Sequence, residues 1–221
     1  AMLPAGVGTA GAHQAGGEII GWRGGAALMV GLGLQIGTNY VNDYADGVRG
    51  TDDVRVGPIR LVGQKLASPK AVRNAAIISF AVAAGFGLAL CAYVAWQLAL
   101  VGAAAILAGW FYTGGPRPYG YAGLGEAFVF VFFGLVATVG STYVQVERVT
   151  GRATAAGVAV GLWATALLVV NNLRDRVGDE KSAKLTLAVR LGDSKTRGLY
   201  VGCLRAAHEG RQYIPVVLTA K

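Results

Sequence analysis

Acidic and amide side chains gather at two places in this 221-residue chain, and in both their spacing matches one face of a helix. In the first, Asn39, Asn42 or Asp43, and Asp46 stand at i, i+3 or i+4, and i+7, with Asp52 and Asp53 following. In the second, Asn171, Asp175 and Asp179 stand at i, i+4 and i+8, with Asn172 beside them. Carboxylates stacked on one helix face repel by about a few tenths of a kcal/mol per pair, so each cluster calls for a cation. Carboxylate and amide oxygens are hard ligands suited to Mg²⁺, which keeps waters and bridges to phosphate oxygens more often than it fills an all-protein cage. The bland alternative is a solvated charged face at an interface.

Basic residues follow each cluster. Arg55, Arg60 and Lys65 come after Asp46, and Lys184 and Arg190 come after Asp175. Asp46 to Arg60 is 14 residues and Asp175 to Arg190 is 15, so the chain carries a weak internal repeat of the kind that builds membrane folds. Acids that hold a metal, ringed by Arg and Lys, suit a diphosphate. Lys70, Arg73, Lys195 and Arg197 adjoin apolar runs and read as topology signals. A third segment, from Tyr112 to Glu126, is rich in Gly and Pro and contains Arg117. It predicts a tight connection whose aromatic residues either anchor at the membrane interface or line a pocket shielding a reactive cation. Glu126 opens a very apolar helix, where the dipole favours it; membership of the site is the alternative.

The elements that must carry these residues are apolar. The chain is 54% hydrophobic and 14% charged, with a mean hydropathy of +0.49. Soluble domains carry roughly a quarter charged residues, so a helical membrane protein is predicted. Its 34 glycines fit close helix packing in lipid. Spans are predicted at about 24–41, 75–96, 98–113, 124–145 and 153–172, with partial runs at 1–9 and from Leu199. Gly33 and Gly37 read as a small-xxx-small helix contact, not as a dinucleotide fingerprint. Cys91 and Cys203 read as buried small hydrophobes.

Of the 20 basic residues, 14 fall in the segments 43–74, 114–123 and 173–197, and three (Arg23, Arg148, Arg152) face the other side. The positive-inside bias then places both acidic clusters at the cytoplasmic face. The net charge of +8 is thereby assigned to a membrane face and an anionic substrate, and nucleic acid is excluded as a partner.

Four stretches taken in order resemble the intramembrane aromatic prenyltransferases of the UbiA superfamily, in particular the menaquinone branch that acts on 1,4-dihydroxy-2-naphthoate. They are NDYADGVRGTD from Asn42, RVGPIRLVG from Arg55, YTGGPRPYGYAGLGE from Tyr112 and NNLRDRVGDEKSAKLTLAVRLG from Asn171. The resemblance implies an all-α membrane bundle of nine helices around a central cavity. Here five complete spans plus partial ones are expected, with residues 1–207 one incomplete domain and 208–221 a divergent tail left by a frameshift or truncation. It implies a bacterial plasma membrane and Mg²⁺ as cofactor. It implies transfer of a polyprenyl group from polyprenyl diphosphate to 1,4-dihydroxy-2-naphthoate with decarboxylation, giving demethylmenaquinone.

Carried onto this sequence, Asn42, Asp43, Asp46 and Asp52 match the first metal motif and Asp175 and Asp179 the second. Where the superfamily commonly has a further Asp, this chain has Gly50. Asp46, Asp175 and Tyr112 are the expected catalytic residues, Tyr112 as a candidate ring base. Arg55, Arg60, Lys65, Arg117, Asn171, Asn172, Lys184 and Arg190 are the expected substrate-binding residues. The alternatives are another acceptor of the 4-hydroxybenzoate kind and a divalent-cation transporter, which acidic helix ends also serve.

Overall fold

The computed structural model describes residues 1–51 and 58–214. Asp52, Asp53 and Arg55 lie outside the described residues. The chain is helical throughout, with no strand among the described residues. The helices are α1 (Met2–Gln14), α2 (Gly21–Arg49), α3 (Pro69–Tyr93), α4 (Leu98–Phe111), α5 (Gly125–Val146), α6 (Gly151–Lys181) and α7 (Leu187–Glu209). Short 3₁₀ turns stand at Tyr119–Ala122 and Gly210–Tyr213.

Local chemistry sets the boundaries. Ser68 caps α3 by accepting from the Ala71 N–H at 3.2 Å, with Pro69 at the first helical position. Thr150 caps α6 through the Ala153 N–H at 3.1 Å. α2 runs past its apolar part through the first acidic cluster and stops at Gly50, whose φ of +74° is left-handed. The Thr51 N–H then closes onto the Asp46 carbonyl at 3.0 Å, so Gly50 serves as the helix stop. α6 likewise continues through Asn171, Asp175 and Asp179 to Lys181, so both clusters ride on helix as their spacing predicts.

Two predicted spans differ from expectation. By length and composition α3, α5 and α6 are apolar enough to cross a membrane. α4 has 14 residues, about 21 Å at 1.5 Å per residue, short of a hydrocarbon core of about 30 Å. α2 is long enough, but Gln35, Thr38 and Asn39 dilute its apolar run. The run from Leu199 is not a new element; it is the second half of α7, which bends at Gly192, where φ is +77°.

Successive helices alternate in direction, and named contacts fix the two ends of the bundle. At one end Arg23, at the start of α2, reaches the Tyr93 carbonyl ending α3 at 3.3 Å and, near the end of α5, the Val144 carbonyl at 3.0 Å and Glu147 at 2.8 Å. At the other end lie the acidic clusters. Between them the core is made of small side chains, with Ala76, Ala83, Ala156, Ala159 and Ala166 all buried. Large apolar residues such as Ile78, Leu88, Leu100 and Leu167 are exposed on the outer faces, as a lipid-facing surface requires.

Close approach depends on glycine. A Cβ on Gly33 would stand 2.7 Å from the Ser79 carbonyl oxygen and one on Gly37 2.7 Å from the Phe80 ring, confirming this stripe as the α2–α3 contact. Gly134 lies in a π-helical turn of α5, Phe130–Val136, and meets the Gly161 backbone of α6 directly. Gly134→Leu is therefore expected to cost about 1–3 kcal/mol through overpacking, measured as a lower melting temperature of the detergent-solubilised protein. An equal substitution at Gly140, which has open space around it, is expected to leave stability unchanged.

Candidate active site

Asp46 is fully buried near the end of α2, so its charge must be matched from within the protein. Its Oδ2 accepts from the Lys184 ammonium at 2.7 Å and its Oδ1 from the Tyr121 hydroxyl at 2.8 Å. Asn42, one turn earlier, has its amide oriented so that the nitrogen donates to Asp46 Oδ2 at 2.8 Å and the oxygen accepts from Arg60 at 3.1 Å. Lys184 also stands 4.0 Å from Asp179, itself buried, so one ammonium lies between the first and second acidic clusters. The pairing spans 138 residues.

Tyr121 organises the cationic side. Its ring faces both the Arg49 guanidinium, 5.1 Å from the centroid, and the Lys184 ammonium at 5.4 Å. Its hydroxyl also meets the Thr51 hydroxyl at 3.0 Å. Arg49 ties the same loop down through the carbonyls of Thr113 and, at 2.6 Å, Gly115. Neither residue was singled out from sequence. Arg49 had a signal, since it stands three residues after Asp46 on the same helix; Tyr121 had none beyond its place in an aromatic loop.

Asp43, expected as a metal ligand, is engaged by backbone donors in this structure. Its Oδ2 accepts from the Leu61 N–H and its Oδ1 from the Val62 N–H, both at 2.9 Å, which pins the turn after Arg60 against α2. Asp175 is engaged by its neighbour Arg174 in a bidentate pair at 2.8 and 2.9 Å. Asn172 donates to Glu126 at 2.9 Å, deeper in the bundle. Asn171 is partly buried on the adjoining strip of α6. Arg190 is exposed and donates to the Leu185 carbonyl at 3.1 Å, against Gly123. Lys65 and Arg117 are exposed, and among the described residues neither forms a hydrogen bond or ion pair with the site.

Aromatic rings continue inward from this cluster. Tyr112 and Tyr119 lie 5.6 Å apart, Tyr119 stacks on Phe128 at 3.9 Å, and Phe128 lies 6.0 Å from Phe132. Burial, and then the charges of Glu126, Asp46 and Asp179, push the Tyr112 phenol well above its ordinary range. The shift favours the protonated, hydrogen-bond-donating form of this phenol.

Two outcomes follow from this geometry. Lys184→Met leaves Asp46 and Asp179 without their shared cation and is expected to cost about 3–5 kcal/mol; a double variant that also carries Asp46→Asn should recover part of that in thermal denaturation. Burial, followed by the charge of Asp46, pushes the Tyr121 phenol from 10.0 up to about 12. Its protonated form is thus favoured by folding, so the contribution of Tyr121 to stability is complete below pH 10.0 and is lost as the pH rises through about 12. Tyr121→Phe should make that decline shallower in denaturation curves taken across the window.

Comparison with known proteins gives the family. The profile of the UbiA prenyltransferase family matches residues 1–219. A 1,4-dihydroxy-2-naphthoate octaprenyltransferase of Mycobacterium tuberculosis is 53% identical over 186 residues, which are 84% of this chain and 64% of that protein. Proteins of the same description from Mycobacterium leprae and Escherichia coli are 49% and 40% identical, covering 93% and 81% of this chain and 69% and 60% of their own lengths. The chain thus spans about two thirds of the relatives it matches, and, with the family profile covering nearly all of its residues, it belongs to the UbiA prenyltransferase family.

Proposed function

We propose that this chain carries the catalytic half-sites of an Mg²⁺-dependent prenyltransferase. It moves a polyprenyl group from polyprenyl diphosphate to 1,4-dihydroxy-2-naphthoate with loss of the acceptor's carboxylate, in a bacterial plasma membrane with the acidic clusters on the cytoplasmic side. The observation that carries the reading is the convergence of Asp46 and Asp179 from two helices on the Lys184 ammonium, with Arg49 and Arg60 held beside the same cluster.

The carboxylates of this cluster suit Mg²⁺ by the chemistry of their oxygens. Among the described residues no three of His, Cys, Asp and Glu form a ready-made cage. Mg²⁺ needs no such cage, since one or two carboxylates with waters and phosphate oxygens complete its shell. Asp46, Asp179 and, one turn before it, Asp175 would hold the ion, with the Asn42 amide beside them; Asp52 lies outside the described residues. When bound, the ion supplies charge neutralisation on the diphosphate oxygens.

The chain's own groups do the rest. As the allylic C–O bond breaks, negative charge grows on the leaving diphosphate, and Lys184 and Arg60 are already oriented by Asp46 and Asn42 to meet it. The Tyr112, Tyr119 and Phe128 rings offer polarisable faces to an allylic cation and keep water from it. Asp43 contributes by holding the Arg60 turn in place.

In the full chain, Asp46→Ala and Asp175→Ala are each expected to lower Mg²⁺-dependent transfer to 1,4-dihydroxy-2-naphthoate by at least about 100-fold; near-normal turnover would remove the assignment. Farnesyl diphosphate with Mg²⁺ should raise the melting temperature beyond Mg²⁺ alone, whereas a cation conduit gains nothing from the diphosphate. Offering 4-hydroxybenzoate in place of the naphthoate decides the acceptor class.

A further inference from the structure

Glu126 is a buried carboxylate that the diphosphate site does not use. It stands at the second residue of α5, is 6% exposed, and holds Asn172 of α6 through Oε1 at 2.9 Å. Among the described residues its Oε2 is buried with no hydrogen-bond partner. A buried polar atom left unpaired costs about 1–3 kcal/mol, and more when charged, so such an oxygen in an apolar helix needs a compensating role. The helix dipole, the sequence-level explanation, accounts for an acid at this end of α5 but not for its burial.

Its surroundings say what the role is. Asn172 lies on the same face of α6 as Asp175 and Asp179, at i, i+3 and i+7, which places Glu126 roughly 10 Å inward from the Asp46–Lys184–Asp179 cluster. The Tyr112 phenol lies near enough to both to feel the charge of Glu126 as well as of Asp46 and Asp179. A Cβ on Gly125 would stand 3.1 Å from Cε2 of the Tyr112 ring, so the Tyr112 side chain packs closely against the start of α5 beside Glu126. Among the described residues the groups facing Glu126 are the Asn172 amide, its own backbone N–H, the Tyr112 phenol and the Cys203 thiol, with no cation among them.

We propose that the free oxygen of Glu126 is the proton acceptor for the hydroxyl of the aromatic acceptor, a residue that touches the ring while the Asp46 cluster holds the diphosphate. The proposal rests on the prenyl-transfer reading above. As the allylic carbon bonds to the ring carbon that bears the carboxylate, the adjacent O–H bond breaks and its proton passes to Glu126 Oε2. The oxygen electron pair becomes the carbonyl of a β-keto acid, and the allylic C–O pair leaves with the diphosphate. Loss of carbon dioxide returns the C–C pair to the ring as an enolate, which takes the proton back from Glu126. No net proton, oxidant or reductant is needed. Tyr112, protonated throughout, donates to the developing oxyanion.

The test uses Glu126→Gln, which keeps the size and the contact to Asn172, and Glu126→Asp, which keeps the charge. Both are assayed for the thermal shift given by farnesyl diphosphate with Mg²⁺ and for transfer to the naphthoate across pH. The expected result is a retained shift in both, a loss of at least about 100-fold for Gln at neutral pH, a deficit that shrinks once the acceptor's own hydroxyl ionises, and a much smaller loss for Asp. Turnover of the Gln variant within a few-fold of the parent, a loss equal at all pH values, or disappearance of the diphosphate shift overturns the proposal. Should the parent chain shift with farnesyl diphosphate yet prenylate no hydroxyaromatic, the prenyl-transfer reading itself fails, a result distinct from any of these.

Discussion

A single buried negative charge organises the polar end of this protein. Asp46 has no access to water, and a carboxylate in that position is tolerated only where cations and donors converge on it. Its partners come from different parts of the chain: Asn42 from α2, Tyr121 from the connection between α4 and α5, and Lys184 from the turn between α6 and α7. Neutralising one side chain therefore brings together both acidic clusters, the aromatic loop and the basic loops. The same convergence gives the site its electrostatic character, since cations fixed by a carboxylate do not reorganise when a diphosphate arrives.

The two acidic helix ends were legible because helical periodicity leaves a local record. Asn42 and Asp46, and Asn171, Asp175 and Asp179, are separated by whole turns, and the structure keeps α2 and α6 helical through them. The weak repeat was legible as spacing but not as geometry. Arg60 returns to its own cluster, whereas Lys184 crosses to Asp46 and Arg190 turns to the Leu185 carbonyl. Sequence spacing cannot distinguish these, because the choice depends on which elements face each other across the bundle. The contacts of Asp43 were illegible for the same reason: its partners are backbone N–H groups at Leu61 and Val62, which carry no side-chain signature.

Apolar run length was a weaker guide. It found α3, α5 and α6, but it credited α4 with a crossing that 14 residues do not provide, and it stopped α2 where its chemistry begins. Composition explained the membrane class, while the interior turned out to be built from alanine, glycine and threonine more than from large apolar residues. In lipid the outside is already as apolar as the core, so packing selects for smallness and the bulky side chains are turned outwards.

The meeting of Gly134 with Gly161 acts as a gauge. With backbone against backbone, α5 and α6 have one permitted separation, and that separation also sets the distance between Glu126 near the top of one helix and Asn172 near the end of the other. The spacing of the polar groups is thus inherited from a dry, featureless crossing in the apolar interior. Inheritable loss of function in such a protein should map as readily to a methyl group gained at that crossing as to a carboxylate lost at the surface of the site.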